Sequence, residues 1–407
     1  MAGDRKNSAR HWPGRSWEEL KAIMEASKRD DPANWQDARS FGMVYPAGPE
    51  VDAVIREAYA MFFVENGRHT QAFASLRRFE ADIVAMTADL FGAPEPLGNV
   101  LSGGTEGAFV AMKAARDQAR AVRGIEAPEV LLPATAYPVY AMAAHYLGVK
   151  VVPIGIDASY KADLRALKDA ITTQTVMMVG SAPGWPYGVI DPIAEMGEIA
   201  QAADIHLHVD ACVGGYQIPF IRRLGYPAAN FDFTLPGVAS IAADLHKFGY
   251  SAQGSAVLLY RDAEPHRYQS FTHSAWPMGV WSNGALLTSR PGGAIAASWA
   301  VMNFLGEDGY LRLTDGLMKT TRQFLDGIRA IPELCIIGDP QTSVFAFTAK
   351  DGAGIDLDRL GDSMRNKGWF IRHRENASIH IVLTPPHARV ADAYLSDLRE
   401  AVCLVRG

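Results

Sequence analysis

The 407-residue chain has only three cysteines, Cys212, Cys335 and Cys403, and no CxxC pair, so it offers neither a disulfide framework nor a cysteine zinc site. No metal is expected. It also lacks any apolar run of the ~18 to 20 residues that a membrane span needs. The window Ala294 to Leu305 is too short and carries Ser298 and Asn303. The first residues, MAGDRKNSARHWPGRSW, contain no apolar signal-peptide segment. Neither charge sign dominates: 39 Lys plus Arg stand against 45 Asp plus Glu, a formal charge of −6, which removes the general attraction expected of a nucleic-acid or anionic-lipid binder. Internal repeats, charge blocks and Gly/Ser/Pro-rich linkers are missing as well. A soluble, cytoplasmic protein in a reducing compartment is expected.

What is present is globular: hydrophobic residues make up 48% and charged residues 21%. Single cores stop growing near ~250 to 300 residues, so a large domain plus a smaller one is expected. Apolar residues recur at helical spacing from Val51 to about Phe91, broken by the polar stretch 66–71. Short β-rich runs then alternate with helical stretches: Glu129 to Leu132, Val149 to Ile154, Val176 to Ser181, Ile205 to Val209, Val238 to Ala242 and Ala256 to Tyr260. Such alternation predicts an α/β fold with a mainly parallel sheet covered by helices. After Gly293 come a long helical tract (294–331), strand candidates at 343–347 and 379–383 around a helix near 355–366, and a last helix near 390–405. The expected organisation is an N-terminal segment (1–50), a large domain with a helical lead-in (51–293), and a connecting helix with a small α+β domain (294–407).

Three local features could carry chemistry. Ser102-Gly103-Gly104-Thr105-Glu106 opens a helical stretch; glycines permit close backbone approach and free N–H groups at a helix start attract anions, so a phosphate could sit there. Ordinary helix capping is the competing reading. Asp210 closes the apolar run IHLHV, at the strand end where open α/β sheets gather ligands. A loop cap competes with that role. Lys247, in Asp244-Leu245-His246-Lys247-Phe248-Gly249-Tyr250, follows another strand candidate. Apolar surroundings are expected to lower its pKa from ~10.4 and free a nucleophilic amine, although a snorkelling surface lysine is the commoner fate. Together, a phosphate nest, a strand-end carboxylate and a lysine 37 positions later (247 − 210) are the parts that hold pyridoxal 5'-phosphate.

The order of these segments resembles the pyridoxal-phosphate enzymes of aspartate aminotransferase fold (fold type I), within them the group II decarboxylase superfamily, and in particular its sphingosine-1-phosphate lyase branch. LSGGTEG, GVIDPI, HVDACVGG, ADLHKFGY, SRPGG, GEDGY and GDPQTSV carry the resemblance, which spans about Gly42 to Val402. It implies that Lys247 is the Schiff-base lysine and Asp210 the partner of the pyridine nitrogen. It also implies that Gly103, Gly104, Thr105 and His246 bind the cofactor phosphate, joined by Ser289, Gly292 and Gly293 across a homodimer interface with shared active sites. Tyr45, Asn66 and His69 fall where the family places substrate-facing residues.

The departures from the family pattern bear on substrate. Tyr137 stands where a histidine usually stacks on the cofactor ring; a phenol can stack but is no acid or base near neutral pH. Trp185 and Tyr187 replace an aromatic-Pro-His-Gly pattern. Gln253 replaces a lysine expected to neutralise a substrate phosphate, and Arg372, with His373 and Arg374, adds positive charge in the small domain. The resemblance implies cleavage of the C2–C3 bond of a phosphorylated 2-amino-3-hydroxy (sphingoid-base-like) substrate to an aldehyde and phosphoethanolamine. Alternatives are an amino-acid decarboxylase using Arg372 or Arg374, a related lyase acting on a non-phosphorylated substrate, and a noncatalytic scaffold.

Overall fold

Short runs of Val, Ile, Leu and Met that are apolar on both faces form fully covered strands. Seven build the principal sheet of the computed structural model, which describes residues 14–31, 35–69, 71–185, 187–374 and 377–406. They are β1 (Leu97–Leu101), β2 (Glu129–Pro133), β3 (Lys150–Ile154), β4 (Thr175–Ser181), β5 (His206–Asp210), β6 (Val238–Ala243) and β7 (Ala256–Tyr260). Their order is β1-β7-β6-β5-β4-β2-β3. The pairs from β6 through β3 are parallel, and β7 runs antiparallel to both β6 and β1. This is the expected mainly parallel sheet with one antiparallel strand, β7, set next to its β1 edge.

Parallel neighbours need crossovers, and helices supply them. Gly104–Arg123 follows β1 and stops at Gly124, whose φ of 65° favours glycine. Val139–Leu147 follows β2, Leu164–Asp169 follows β3 with Asp163 accepting from the amides of Arg165 and Ala166, and Ile193–Ala203 follows β4. The helices Pro49–Met61 and Ala74–Leu90 pack against the long helix Gly292–Arg329. That helix matches the tract expected at 294–331, but Gly306 breaks it with non-helical angles (φ 53°, ψ −175°).

Beyond it, a four-stranded antiparallel sheet takes the order Leu334–Ile336, Val344–Ala349, Ser378–Val382, Arg372–Arg374. Helices Leu357–Asn366 and Ala391–Val405 cover it. One apolar cluster runs from β4 and β5 through the long helix to this second sheet, and a smaller one lies under Gly104–Arg123. Near the N-terminus, Trp17–Arg29 is capped by Ser16 and Glu19 but buries no residue. Among the described residues no helix is long and apolar enough to cross a membrane.

Candidate active site

Parallel strands carry their carboxyl ends to one edge, and the catalytic candidates collect there. Asp210 ends β5, Ser181 ends β4, the turn after β6 carries Asp244, His246 and Lys247, and β1 delivers Ser102, Gly103 and Gly104 to a helix start. They line a cavity of about 380 Å³ together with Tyr45, Thr105, Tyr137, Trp185 and Arg372. Ten sequence-selected residues thus share one space: Gly103, Gly104, Thr105, Asp210, His246, Lys247, Tyr45, Tyr137, Trp185 and Arg372.

The cavity floor is an ionic cluster. Lys247 Nζ lies 2.8 Å from Asp244 Oδ2, and His246 Nε2 lies 3.7 Å from the same oxygen. His246 Nδ1 donates to the carbonyl of Ser255 at 2.7 Å, leaving Nε2 for the cavity side. The expectation of a depressed lysine pKa is corrected here. Burial is the largest influence and pulls the Lys247 amine down, but the Asp244 carboxylate, through its charge and hydrogen bond, together with Cys212 and Tyr45 pushes it up, and the net shift is upward. Burial raises the Asp210 carboxyl, opposed by the Cys212 amide, which donates to Oδ1 at 3.0 Å, and by Lys247. Burial also raises the Tyr45 phenol, against the pull of Lys247, so its hydroxyl stays protonated.

Packing sets the nest. A Cβ on Gly104 would collide with Cys212 Sγ and come within 3.0 Å of Asp244 Oδ1, so only glycine fits at this helix start. Glu106, in the first turn of the helix, ties the nest down: it accepts from the Ser102 amide and hydroxyl at 2.7 and 2.8 Å and from the Leu287 amide at 2.8 Å.

Six expected residues lie outside the cavity in the single chain. Gly292 and Gly293 open the long helix, where a Cβ would press on Glu65 O and Leu76, and on the backbone and ring of Tyr59. Their smallness serves packing within the chain. Asn66 Oδ1 accepts from the amides of Arg68 and Arg290, pinning the turn 66–69 to the 289–291 segment that carries Ser289. His69 lines a separate hollow of about 620 Å³ with Arg68, Thr288 and Arg290. Gln253 is exposed and does not line the catalytic cavity. Tyr187 packs on Tyr160 with ring centroids 4.8 Å apart. The side chains of His373 and Arg374 lie outside the described residues.

Sequence reasoning passed over Asp244, Cys212 and Glu106. The spacing of Asp244 and Lys247, three residues apart in one turn, was the available signal for an ion pair. Asp244 also bears on cofactor fit: its Oδ1 is buried with no partner, and it faces the lysine amine and the glycine nest. A glycine nest, a basic histidine, an amine and a strand-end carboxylate fit a molecule that is phosphate at one end, aldehyde in the middle and pyridine nitrogen at the other.

The model of the pyridoxal-dependent decarboxylase conserved domain matches residues 33–350, so the chain belongs to that family and is a pyridoxal-phosphate-dependent enzyme. Within the family it is similar to sphingosine-1-phosphate lyases. It is 40% identical over 394 residues to the lyase of Arabidopsis thaliana, covering 94% of this chain and 71% of that protein. It is 41% identical over 390 residues to sphingosine-1-phosphate lyase 1 of Rattus norvegicus, covering 95% and 68%. The structure of the Burkholderia pseudomallei sphingosine-1-phosphate lyase superposes with a TM-score of 0.93 at 38% identity, covering 99% of this chain and 94% of that one.

Proposed function

We propose that the chain is a carbon–carbon lyase that breaks the C2–C3 bond of a phosphorylated 2-amino-3-hydroxy, sphingoid-base-like substrate, giving an aldehyde and phosphoethanolamine. The observation that carries this reading is the convergence of Lys247, Asp210 and the Gly103-Gly104 nest on one cavity, in a chain so similar to such lyases. When bound, the cofactor supplies an aldehyde that captures the substrate amine and a ring that takes up the electron pair released by bond cleavage.

The chain's own residues do the rest. Helix-start amides of Gly103, Gly104 and Thr105, with the Thr105 hydroxyl, bind the cofactor phosphate, and His246 Nε2 faces the same space. Asp210 holds the ring nitrogen protonated. Lys247 is the attachment amine; Asp244 Oδ2 at 2.8 Å holds it as a charged pair that must open before the amine can act. Tyr137 offers an aromatic face beside the ring, and Tyr45, kept protonated, donates to a substrate oxygen. Trp185 walls the cavity, and Arg372 at its rim meets the substrate's anionic group. Orientation sets which bond breaks, because only the bond held perpendicular to the ring is weakened.

We also infer a homodimer. Trp17, Leu20, Ile23 and Met24 leave an apolar helix face open, and the exposed Ser289 and His69 would meet the cavity of a second copy. The boundary between the large and small domains is placed at 293/294, and a cytoplasmic location accords with three unpaired cysteines. Arg372 favours one second reading, since a guanidinium also suits a carboxylate, as an amino-acid decarboxylase or a lyase of non-phosphorylated substrates requires. A panel of phosphorylated and free amino alcohols and common amino acids, with aldehyde and carbon dioxide both measured, separates these. Aldehyde from the phosphorylated bases is the expected product; carbon dioxide alone would refute the lyase reading.

A further inference from the structure

On a strand, residues two apart share a face, so His206, His208 and Asp210 project from β5 to one side. Ser240 on β6 pairs in register with His208. Its hydroxyl lies 2.7 Å from His206 Nε2 and 2.7 Å from His208 Nδ1. On the other side of the ring, His208 Nε2 lies 3.0 Å from the hydroxyl of Tyr140, from the helix Val139–Leu147, and that hydroxyl faces the Asp210 carboxylate. His208, Ser240 and Tyr140 are wholly buried, so no water can replace a missing member.

We propose that His206, Ser240, His208 and Tyr140 form a one-directional hydrogen-bonded relay that anchors and polarises the Asp210 carboxylate against the ring nitrogen of the cofactor. Tyr140, His208 and Ser240 are then positioning residues.

The direction follows from counting protons. Burial keeps both imidazoles neutral, lowering His206 to about 4 and His208 to about 3, so each ring carries a single N–H. Asp210 is the charged acceptor that the Tyr140 hydroxyl faces, so the proposed relay assigns the one Tyr140 proton to it and Tyr140 accepts from His208 Nε2. The bare Nδ1 of His208 must accept from Ser240, whose single proton is now spent. Ser240 Oγ in turn accepts from His206 Nε2. All four protons point toward Asp210, and bonds in such a chain strengthen one another, most at the charged acceptor. With the Cys212 amide, the relay offsets the loss of solvation that raises the Asp210 carboxyl. Its far end is His206, which lines a hollow of about 260 Å³ near the start of β5.

This inference rests on the placement of Asp210 at the ring nitrogen, and the test separates the two. Apoenzyme is titrated with pyridoxal phosphate and with its 1-deaza analogue, in which a C–H replaces the ring nitrogen; tryptophan fluorescence reports each dissociation constant. The wild-type chain prefers the nitrogen-bearing cofactor, and Asp210→Asn sets the floor of that preference. Tyr140→Phe lowers the preference by about tenfold and Ser240→Ala by about threefold, as expected for losing a bond to a charge and for weakening it at one remove. His208→Gln, whose amide can still donate to Tyr140, retains more of the preference than His208→Leu, and this pair decides the matter if Tyr140→Phe does not fold. Equal weakening toward both cofactors, or an unchanged preference, overturns the relay. An unchanged preference in Asp210→Asn instead overturns the placement of Asp210.

Discussion

At the strand ends of the large sheet, polar groups are left facing open space: Lys247 and His246 share one carboxylate, the other Asp244 oxygen has no partner, and the helix start at Gly104 is uncapped by any side chain. In the corner made by residues 66–69 and 289–293, polar groups are consumed. Asn66 is spent on two amides, Arg290 reaches Glu80 and the Val100 carbonyl, and both glycines are closed in by neighbouring atoms. Each region contains family-like motifs, yet one is built to meet a ligand and the other to hold the chain's own backbone. A polar residue left unsatisfied by its own fold is the better sign of chemistry, because burying such a group costs about 1 to 3 kcal/mol unless something arrives to use it.

The sharpest test of that contrast is Lys247→Ala. Removing the attachment amine should cut kcat by about a thousandfold or more. Stability should fall as well, because removing one partner of the pair leaves the buried Asp244 carboxylate without its amine, so kcat is compared per folded enzyme. Retained turnover would place the chemistry elsewhere. In the corner, Asn66→Ala should differ in its effect on kcat, lowering stability by about 1 to 3 kcal/mol through two lost amide bonds while kcat per folded enzyme changes little. A fall in kcat with an unchanged melting temperature would show that this corner also serves a catalytic site.

The same contrast explains what was legible in the sequence. The six runs expected as strands became β2 to β7 with ends shifted by one residue at most, because strands apolar on both faces are written in the local sequence. The nest, Asp210 and Lys247 were legible for a related reason: each follows a strand directly, and the parallel topology brings those ends together. Strands of three residues, such as Leu334–Ile336 and Phe271–His273, are too short to show a period. The Asp244–Lys247 pair reverses the expected direction of the lysine's shift, since composition reports apolar surroundings but not which carboxylate points inward. IHLHV read as an apolar strand, although its two histidines alternate on the Asp210 face; the partners that use them, Tyr140 and Ser240, lie 68 and 32 residues away. Contacts of that kind are set by topology.

The smallest expected effect is at Gln253, where family resemblance and geometry disagree about substrate contact. Resemblance makes Gln253 the missing phosphate cation, which implies that Gln253→Lys should sharply improve use of a phosphorylated substrate. The side chain, however, is exposed and outside the cavity, and an exposed charge acts on an anion through solvent. An exposed ion pair is worth about 0.2 to 1 kcal/mol, so KM for the phosphorylated substrate should fall by no more than about fivefold, with kcat unchanged and the gain lost in high salt. A larger, salt-resistant fall would mean that position 253 is enclosed when the enzyme works, as docking of a second subunit over it would require. In that event the dry and wet regions of the single chain would not be those of the assembly.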